Sequence, residues 1–162
     1  MNKAWKQLQR AFIEDHRTLT RGYVSLLKLL DERDFTGAAS EAKRLDELAG
    51  PHIAFEESFL YPKVGESRGD EYTGKLYQEH AEILNALVEI RQLKPDANLD
   101  DSAIESLKDR LHHGLDHAAA CGSLLSHLKA LPDDEQSQAL RRLLRFRDHS
   151  PAWSDLASTE RE

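Results

Sequence analysis

A histidine and a glutamate one helical turn apart are the first residues of this sequence that could do chemistry. In the stretch GPHIAFEESFLYP, His52 and Glu56 are four residues apart, so on a helix of 3.6 residues per turn they share one face. The apolar residues Leu45, Leu48 and Phe59 belong to the same face, which predicts that it points into a protein core. Buried imidazole and carboxylate groups need a partner, and a metal ion suits this spacing.

Single histidines on other helical segments extend this pattern. His16 in the first segment and His80 in the third are flanked by acidic residues and lie on or near the apolar side. One inward histidine per helix, together with Glu56 on the second, is the layout of a metal site built between the helices of a bundle. The pattern therefore predicts a metal-binding protein.

Four long segments with apolar residues at helical spacing must position these side chains, and convincing strand-like alternation is missing. They extend over about residues 3–33, 34–65, 69–95 and 102–132, and a shorter fifth helix covers about residues 134–147. Because short connections make neighbouring helices antiparallel, the predicted fold is all-α, an up-down-up-down four-helix bundle with a short additional C-terminal helix. We predict the bundle over residues 1–131, with residues 132–162 forming a C-terminal helix and tail packed on it.

Local signals predict several helix boundaries. Gly50 with Pro51 is expected to kink the second helix, and Pro62 with Gly65 to end it. In the fourth helix, Ser102 and the glutamate three residues later form a capping-box pair at the predicted start.

The order of these residues resembles the hemerythrin-like, or HHE cation-binding, family. The resemblance covers roughly residues 8–130, and its most specific part is HIAFEESFLYP in the second helix, followed by QEHAEIL in the third. The resemblance implies a four-helix bundle with a non-haem di-iron centre, held by histidines and two bridging carboxylates, in roles of oxygen binding, oxygen or iron sensing, or peroxide chemistry. It also implies that His16, His52, Glu56 and His80 are metal ligands.

The fourth helix departs from the family pattern, in which an acidic ligand follows a histidine by four residues. The stretch LHHGLDHAAACGSLL offers two registers, His117 with Cys121 or His113 with His117. At about 100° per residue, His113 points away from the apolar side marked by Leu111, whereas His117 and Cys121 lie nearer to it. We therefore predict His117 and Cys121 as ligands, with His113 in reserve. A small buried core residue is the alternative role for Cys121.

The donor set suggests a cofactor and a function. Imidazole and carboxylate ligands suit non-haem iron, as a di-iron pair if the family pattern holds, whereas the soft Cys121 thiolate favours zinc or a mononuclear site. The main hypothesis is a protein that binds or senses oxygen or a related small molecule. A peroxide-consuming oxidoreductase and a bundle with structural zinc that acts in partner binding are the alternatives.

Composition argues against other classes of protein. With Asp+Glu 29 and Lys+Arg 22, the net charge of −7 repels phosphate backbones, so no nucleic-acid partner is expected. The sequence has no apolar stretch long enough for a membrane span. The single cysteine forms no internal disulfide, which agrees with a cytoplasmic location.

Other polar residues near the predicted site are expected to have structural roles. Glu57 is expected at a helix boundary or in solvent. Tyr23, Tyr61 and Tyr77 are expected as core aromatics, and donation from one of them to a metal-bound ligand is a weaker hypothesis. The basic run LRRLLRFR of the fifth helix is expected to form a solvated face or to pair with acidic helices.

Overall fold

Helices account for most of the chain in the computed structural model, which describes residues 2–158. In chain order they are α1 (Lys3–Asp31), α2 (Phe35–Phe55), α3 (Tyr61–Arg68), α4 (Asp70–Arg91), α5 (Asp101–Cys121), α6 (Asp133–His149) and α7 (Trp153–Ser158). A π-helical turn (Glu56–Leu60) joins α2 to α3, and a 3₁₀ turn (Leu124–Leu128) follows α5. No strand occurs in this part of the chain, which confirms the all-α prediction. None of the described helices combines the length and the apolar run needed to cross a bilayer.

Helices α1, α2, α4 and α5 form a four-helix bundle. Both α1 and α4 pack against α2 and α5, so the four helices lie side by side around a common core. The connections are short: residues 32–34 join α1 to α2, Gly69 joins α3 to α4, and residues 92–100 join α4 to α5. Such connections make consecutive helices antiparallel, and the predicted bundle is confirmed.

The core consists of two apolar clusters with polar residues at the level between them. One cluster contains Leu45 and Ile83, and the other contains Phe55 and Leu76. Along each bundle helix, one histidine lies between a residue of one cluster and a residue of the other; these are His16, His52, His80 and His117. The two clusters therefore enclose a polar layer that crosses all four helices.

Pro51 and Pro62 do not end the second helix. Helix α2 continues through Pro51, and Pro62 lies in the first turn of α3, so the helical path extends to Arg68. Pro62 has no N–H to donate, and the Glu57 carbonyl oxygen, five residues earlier, accepts a hydrogen bond from the Tyr77 hydroxyl at 2.9 Å. The prediction that Pro62 and the following glycine end this helix was wrong, because a side chain on α4 replaces the missing donor.

Two further local predictions were wrong. Asp100, rather than Ser102, caps α5, and its side chain accepts a hydrogen bond from the Ala103 N–H at 2.8 Å. Leu48, expected on the inward face of the second helix, is 48% exposed.

The C-terminal helices pack on the bundle through buried polar and aromatic contacts. Helix α6 lies against α1 and α2, and α7 lies against α2, where the Trp153 side chain is buried. The buried Asp46 carboxylate of α2 accepts hydrogen bonds from the Ser154 N–H at 2.7 Å and the Ser154 hydroxyl at 2.6 Å. It also pairs with Arg91 of α4 at 2.9 Å. Asp46 thus joins α7 to two bundle helices, while the predicted boundary at residues 131 and 132 stays a prediction.

Gly50 of α2 lies close to the backbone of the C-terminal segment, and this close contact gives a testable prediction. A Cβ atom at Gly50 would lie 1.6 Å from the Pro151 carbonyl oxygen, so Gly50→Ala must displace that segment. We expect the free energy of unfolding, measured by urea denaturation, to fall by about 2 kcal/mol or more. In a Trp5→Phe background, the fluorescence of Trp153 should shift to longer wavelength.

Gly74→Ala is the matched control on α4. A Cβ atom at Gly74 meets nothing within 4 Å. This substitution should leave stability unchanged or raise it by up to about 1 kcal/mol, because alanine favours the helix. Equal stability of the two variants would contradict the close approach at Gly50.

Candidate metal centre

All six side chains predicted as ligands are brought to the polar layer of the bundle. Within residues 2–158, two groups of three have ligand atoms that all lie within 4.8 Å of one another: His16 with Glu56 and Cys121, and Glu56 with His80 and His117. His52 belongs to neither group, but its Nε2 atom lies 2.9 Å from Glu56 Oε1. Glu56 is the member common to all these contacts.

The two oxygens of the buried Glu56 carboxylate face different sets of donors. On one side, Oε1 lies 2.9 Å from His52 Nε2 and 3.7 Å from His16 Nε2. It also accepts a hydrogen bond from the Cys121 thiol at 2.8 Å. On the other side, Oε2 lies 3.2 Å from His80 Nε2. The carboxylate therefore stands between two groups of potential ligands.

Acceptors outside the cluster orient all four histidine rings. Each Nδ1 atom faces an oxygen: His16 the Phe12 carbonyl at 2.9 Å, His52 the Asp15 carboxylate at 3.2 Å, His80 the Glu57 carboxylate at 2.9 Å, and His117 the Glu79 carboxylate. In a neutral ring this arrangement keeps the proton on Nδ1 and leaves the Nε2 lone pair facing the cluster. Metal-binding histidines are oriented by outer acceptors in the same way.

Glu57 is one of these outer acceptors; it lies in the turn between α2 and α3, at a helix boundary as expected, but its side chain faces a histidine rather than solvent. Its side chain is 10% exposed and its Oε1 atom lies 2.9 Å from His80 Nδ1. Glu57 lies in the π-helical turn, and no sequence signal marked that turn.

The charges of the cluster are strongly coupled in the metal-free protein. Burial raises the pKa of Glu56, but the charge and hydrogen bond of His52 and the hydrogen bond of His80 outweigh it and hold the pKa well below its usual range. Burial lowers the pKa of His52, but the Glu56 carboxylate and the hydrogen bond to Asp15 outweigh it and raise the pKa to about 9. A proton on His52 therefore takes the place that a cation would otherwise occupy beside Glu56.

Tyr61 is the member of the cluster that the sequence did not single out. Its buried hydroxyl oxygen lies 3.0 Å from His80 Nε2 and 3.2 Å from His117 Nε2. It also lies 3.3 Å from Glu56 Oε2 and 3.5 Å from Cys121 Sγ. The sequence grouped Tyr61 with two other core tyrosines, and nothing in the spacing distinguished it from them.

Burial separates His113 from the predicted ligands. His113 is exposed, whereas His117 and Cys121 on the same helix are buried. The reserve ligand therefore lies outside the cluster, as the helical phase of α5 indicates.

The donor set fits a metal ion in both chemistry and space. A cavity of about 10 Å³, lined by residues that include His16, His52, Glu56, His80 and His117, lies within the cluster. This is about the space of one water-sized sphere. Imidazole nitrogens, a carboxylate and a thiol are all common ligands of transition metals.

Helix α6 reaches the cluster through one arginine. Arg147 donates a hydrogen bond to Asp15 Oδ1 at 2.8 Å, while Asp15 Oδ2 faces His52 Nδ1. The basic run of this helix thus includes one residue that pairs with an acidic group of α1, which was one of the two roles expected for it. The chain from Arg147 through Asp15 to His52 links the C-terminal helix to the centre.

Comparison with known protein families agrees with this geometry. The family model described as hemerythrin HHE cation binding domain matches residues 7–120, which contain five of the six predicted ligands. Among curated proteins and among solved structures, no match to the chain was found.

The pKa of His52 predicts how the stability of the metal-free protein depends on pH. The folded-state pKa of about 9 lies above the ordinary value of 6.5, so pairing of protonated His52 stabilises the folded state fully below about pH 6.5. That stabilisation is lost as the pH rises through about 9. We expect the free energy of unfolding of the metal-free protein, from urea denaturation, to fall by about 3 kcal/mol over this range. His52→Gln should flatten the slope, and an unchanged slope in that variant would contradict the assignment.

Arg147→Gln tests whether α6 supports the centre through Asp15. Loss of the guanidinium frees Asp15 to move away from His52, so we expect metal affinity, measured by competition with a chelator, to weaken by up to about tenfold. Arg141→Gln, at an exposed position of the same helix, is the matched control and should bind metal like the unsubstituted protein. Identical affinities for the two variants would exclude the proposed support.

Proposed function

Because this chain belongs to the hemerythrin HHE cation-binding family, we propose that it holds non-haem iron and binds or senses oxygen or a related small molecule. The observation that carries the proposal is the Glu56 carboxylate, whose two oxygens face separate sets of donors. A carboxylate placed in this way is suited to bridge two cations. We therefore propose a centre with two iron ions.

The proposed ligands divide between the two carboxylate oxygens. His16, His52 and Cys121 would hold the ion on the Oε1 side, and His80 and His117 the ion on the Oε2 side. Iron, when bound, supplies the redox-active Lewis acid that dioxygen chemistry requires. The surrounding carboxylates Asp15, Glu57 and Glu79 keep the histidine rings in the orientation that ligation needs.

A surface groove supports access of a small molecule to this centre. The groove, of about 900 Å³, lies between α1 and α5 and its walls include Trp5, Phe12 and Leu125. His16 and Ala118 line both this groove and the small cavity inside the cluster. The side chain of His16 is 14% exposed, against 2% for those of His52, Glu56 and His80. We propose that a small ligand enters past His16 and the short side chain of Ala118.

Cys121 favours a second candidate, a structural zinc site in a bundle that binds a partner. Its thiol lies 2.8 Å from Glu56 Oε1, and thiolate with imidazole is a common zinc ligand set. In that case, removal of the metal would lower stability, and the loaded protein would show no redox chemistry.

Metal analysis of the purified protein tests the proposal. We expect about two iron ions per chain, together with an absorption spectrum that changes when oxygen or azide is added. Glu56→Ala and His52→Ala should each lose most of the bound metal, because the first removes the bridge and the second a ligand. His127→Ala is the control, because the His127 ring bonds to the Leu124 carbonyl outside the cluster.

The other outcomes separate the alternatives. Zinc, with a spectrum that does not respond to oxygen, would favour the structural site. Turnover of hydrogen peroxide that depends on Glu56 would indicate an oxidoreductase. Equal metal content in all three alanine variants would show that the centre lies elsewhere.

A further inference from the structure

We infer that Tyr61 is itself a ligand of the bound metal, through its phenol oxygen, on the side of the centre formed by His80 and His117. The inference rests on the proposed function, because it adds a ligand to the same centre. Three observations support it: the position of the Tyr61 hydroxyl, the π-helical turn that places this hydroxyl in the cluster, and the unequal numbers of donors beside the two oxygens of Glu56.

Three polar groups converge on one hydroxyl. The Tyr61 oxygen lies within 3.0–3.3 Å of Nε2 of His80, Nε2 of His117 and Oε2 of Glu56. Metal binding requires both imidazoles to be neutral, with the proton on Nδ1 towards the outer carboxylate and the lone pair on Nε2. In that state one phenol proton cannot satisfy all three acceptors, whereas one cation can be bound by all of them and by the phenol oxygen.

A π-helical turn places Tyr61 on the same side as Glu56. In a regular α-helix, a residue five positions after Glu56 would point about 140° away from it. Here the Tyr61 N–H bonds to the Glu56 carbonyl, the five-residue spacing of a π-helix, so both side chains face the cluster. Such turns are rare and occur frequently at functional sites. The turn thus gives the second helix a third inward polar group, in addition to His52 and Glu56.

The two sides of Glu56 have unequal numbers of donors. Among the residues that the structure describes, His16, His52 and Cys121 lie on the Oε1 side, whereas His80 and His117 lie on the Oε2 side. Tyr61 supplies the third donor on the poorer side. A phenolate oxygen is a hard, anionic ligand, and its negative charge offsets part of the charge of a buried cation.

Coordination exchanges one bond for another without any change of oxidation state. The phenol O–H bond breaks, the oxygen–metal bond forms, and the proton is released to solvent. Ligand deprotonation of this kind accompanies metal binding in general.

Resonance Raman spectroscopy of the iron-loaded, air-oxidised protein tests the inference. A tyrosine ligand should give a visible charge-transfer band and phenolate ring vibrations that shift when the protein contains ring-deuterated tyrosine. Tyr61→Phe should lose both features and weaken iron affinity by about tenfold or more. Tyr72→Phe is the matched control, since that ring lies beneath the Arg68 guanidinium and outside the cluster.

Iron content is measured on the same samples, so that the two hypotheses fail in different ways. Iron in the unsubstituted protein without phenolate vibrations would overturn the role of Tyr61 and leave the proposed function in place. Phenolate vibrations that persist in Tyr61→Phe would also overturn it. An unsubstituted protein that takes up no iron would overturn both.

Discussion

Burial of the Glu56 carboxylate is the constraint on which the rest of the centre depends. A carboxylate that is 1% exposed is costly unless charged or polar groups surround it. Here the surrounding groups come from different helices: His16 from α1, His80 from α4 and Cys121 from α5. The positions of the bundle helices are therefore coupled through one side chain, and a change at any of these positions leaves a buried charge with too few partners.

The outer carboxylates extend this coupling to the surface. Each histidine has one ring nitrogen for the cluster and one for an acceptor, so Asp15 and Glu79 act on the centre through the rings of His52 and His117. Arg147 of α6 lies one contact further from the cluster, because it donates a hydrogen bond to Asp15 of α1. Helix α6 thus contributes to the electrostatics of a cluster whose predicted ligands all lie outside that helix. These surrounding charged groups compensate for the burial of four imidazoles and a carboxylate.

Helical periodicity predicted the fold and which histidines face inward, but it wrongly placed Leu48 on the inward face. His113 and His117 differ by four residues, yet the phase set by Leu111 placed only His117 towards the core, and burial agrees. The resemblance of HIAFEESFLYP to the HHE pattern added the expectation of a di-iron cofactor to the metal site that the inward histidines had already predicted. Helix ends were less predictable, because Pro62 stays within the helix with the help of a tertiary contact.

The roles of Tyr61 and Glu57 at the centre were not predicted from the sequence. At about 100° per residue Tyr61 would lie about 140° from Glu56, and the π-helical turn at Glu56–Leu60 brings both side chains to the cluster. The sequence predicted Tyr61 as a buried aromatic, which it is, but not its contacts with the histidines. Glu57 and Tyr61 meet opposite ring nitrogens of His80. A turn of this kind costs hydrogen-bond geometry, so its position at Glu56 is best explained by the contacts that it creates around the carboxylate.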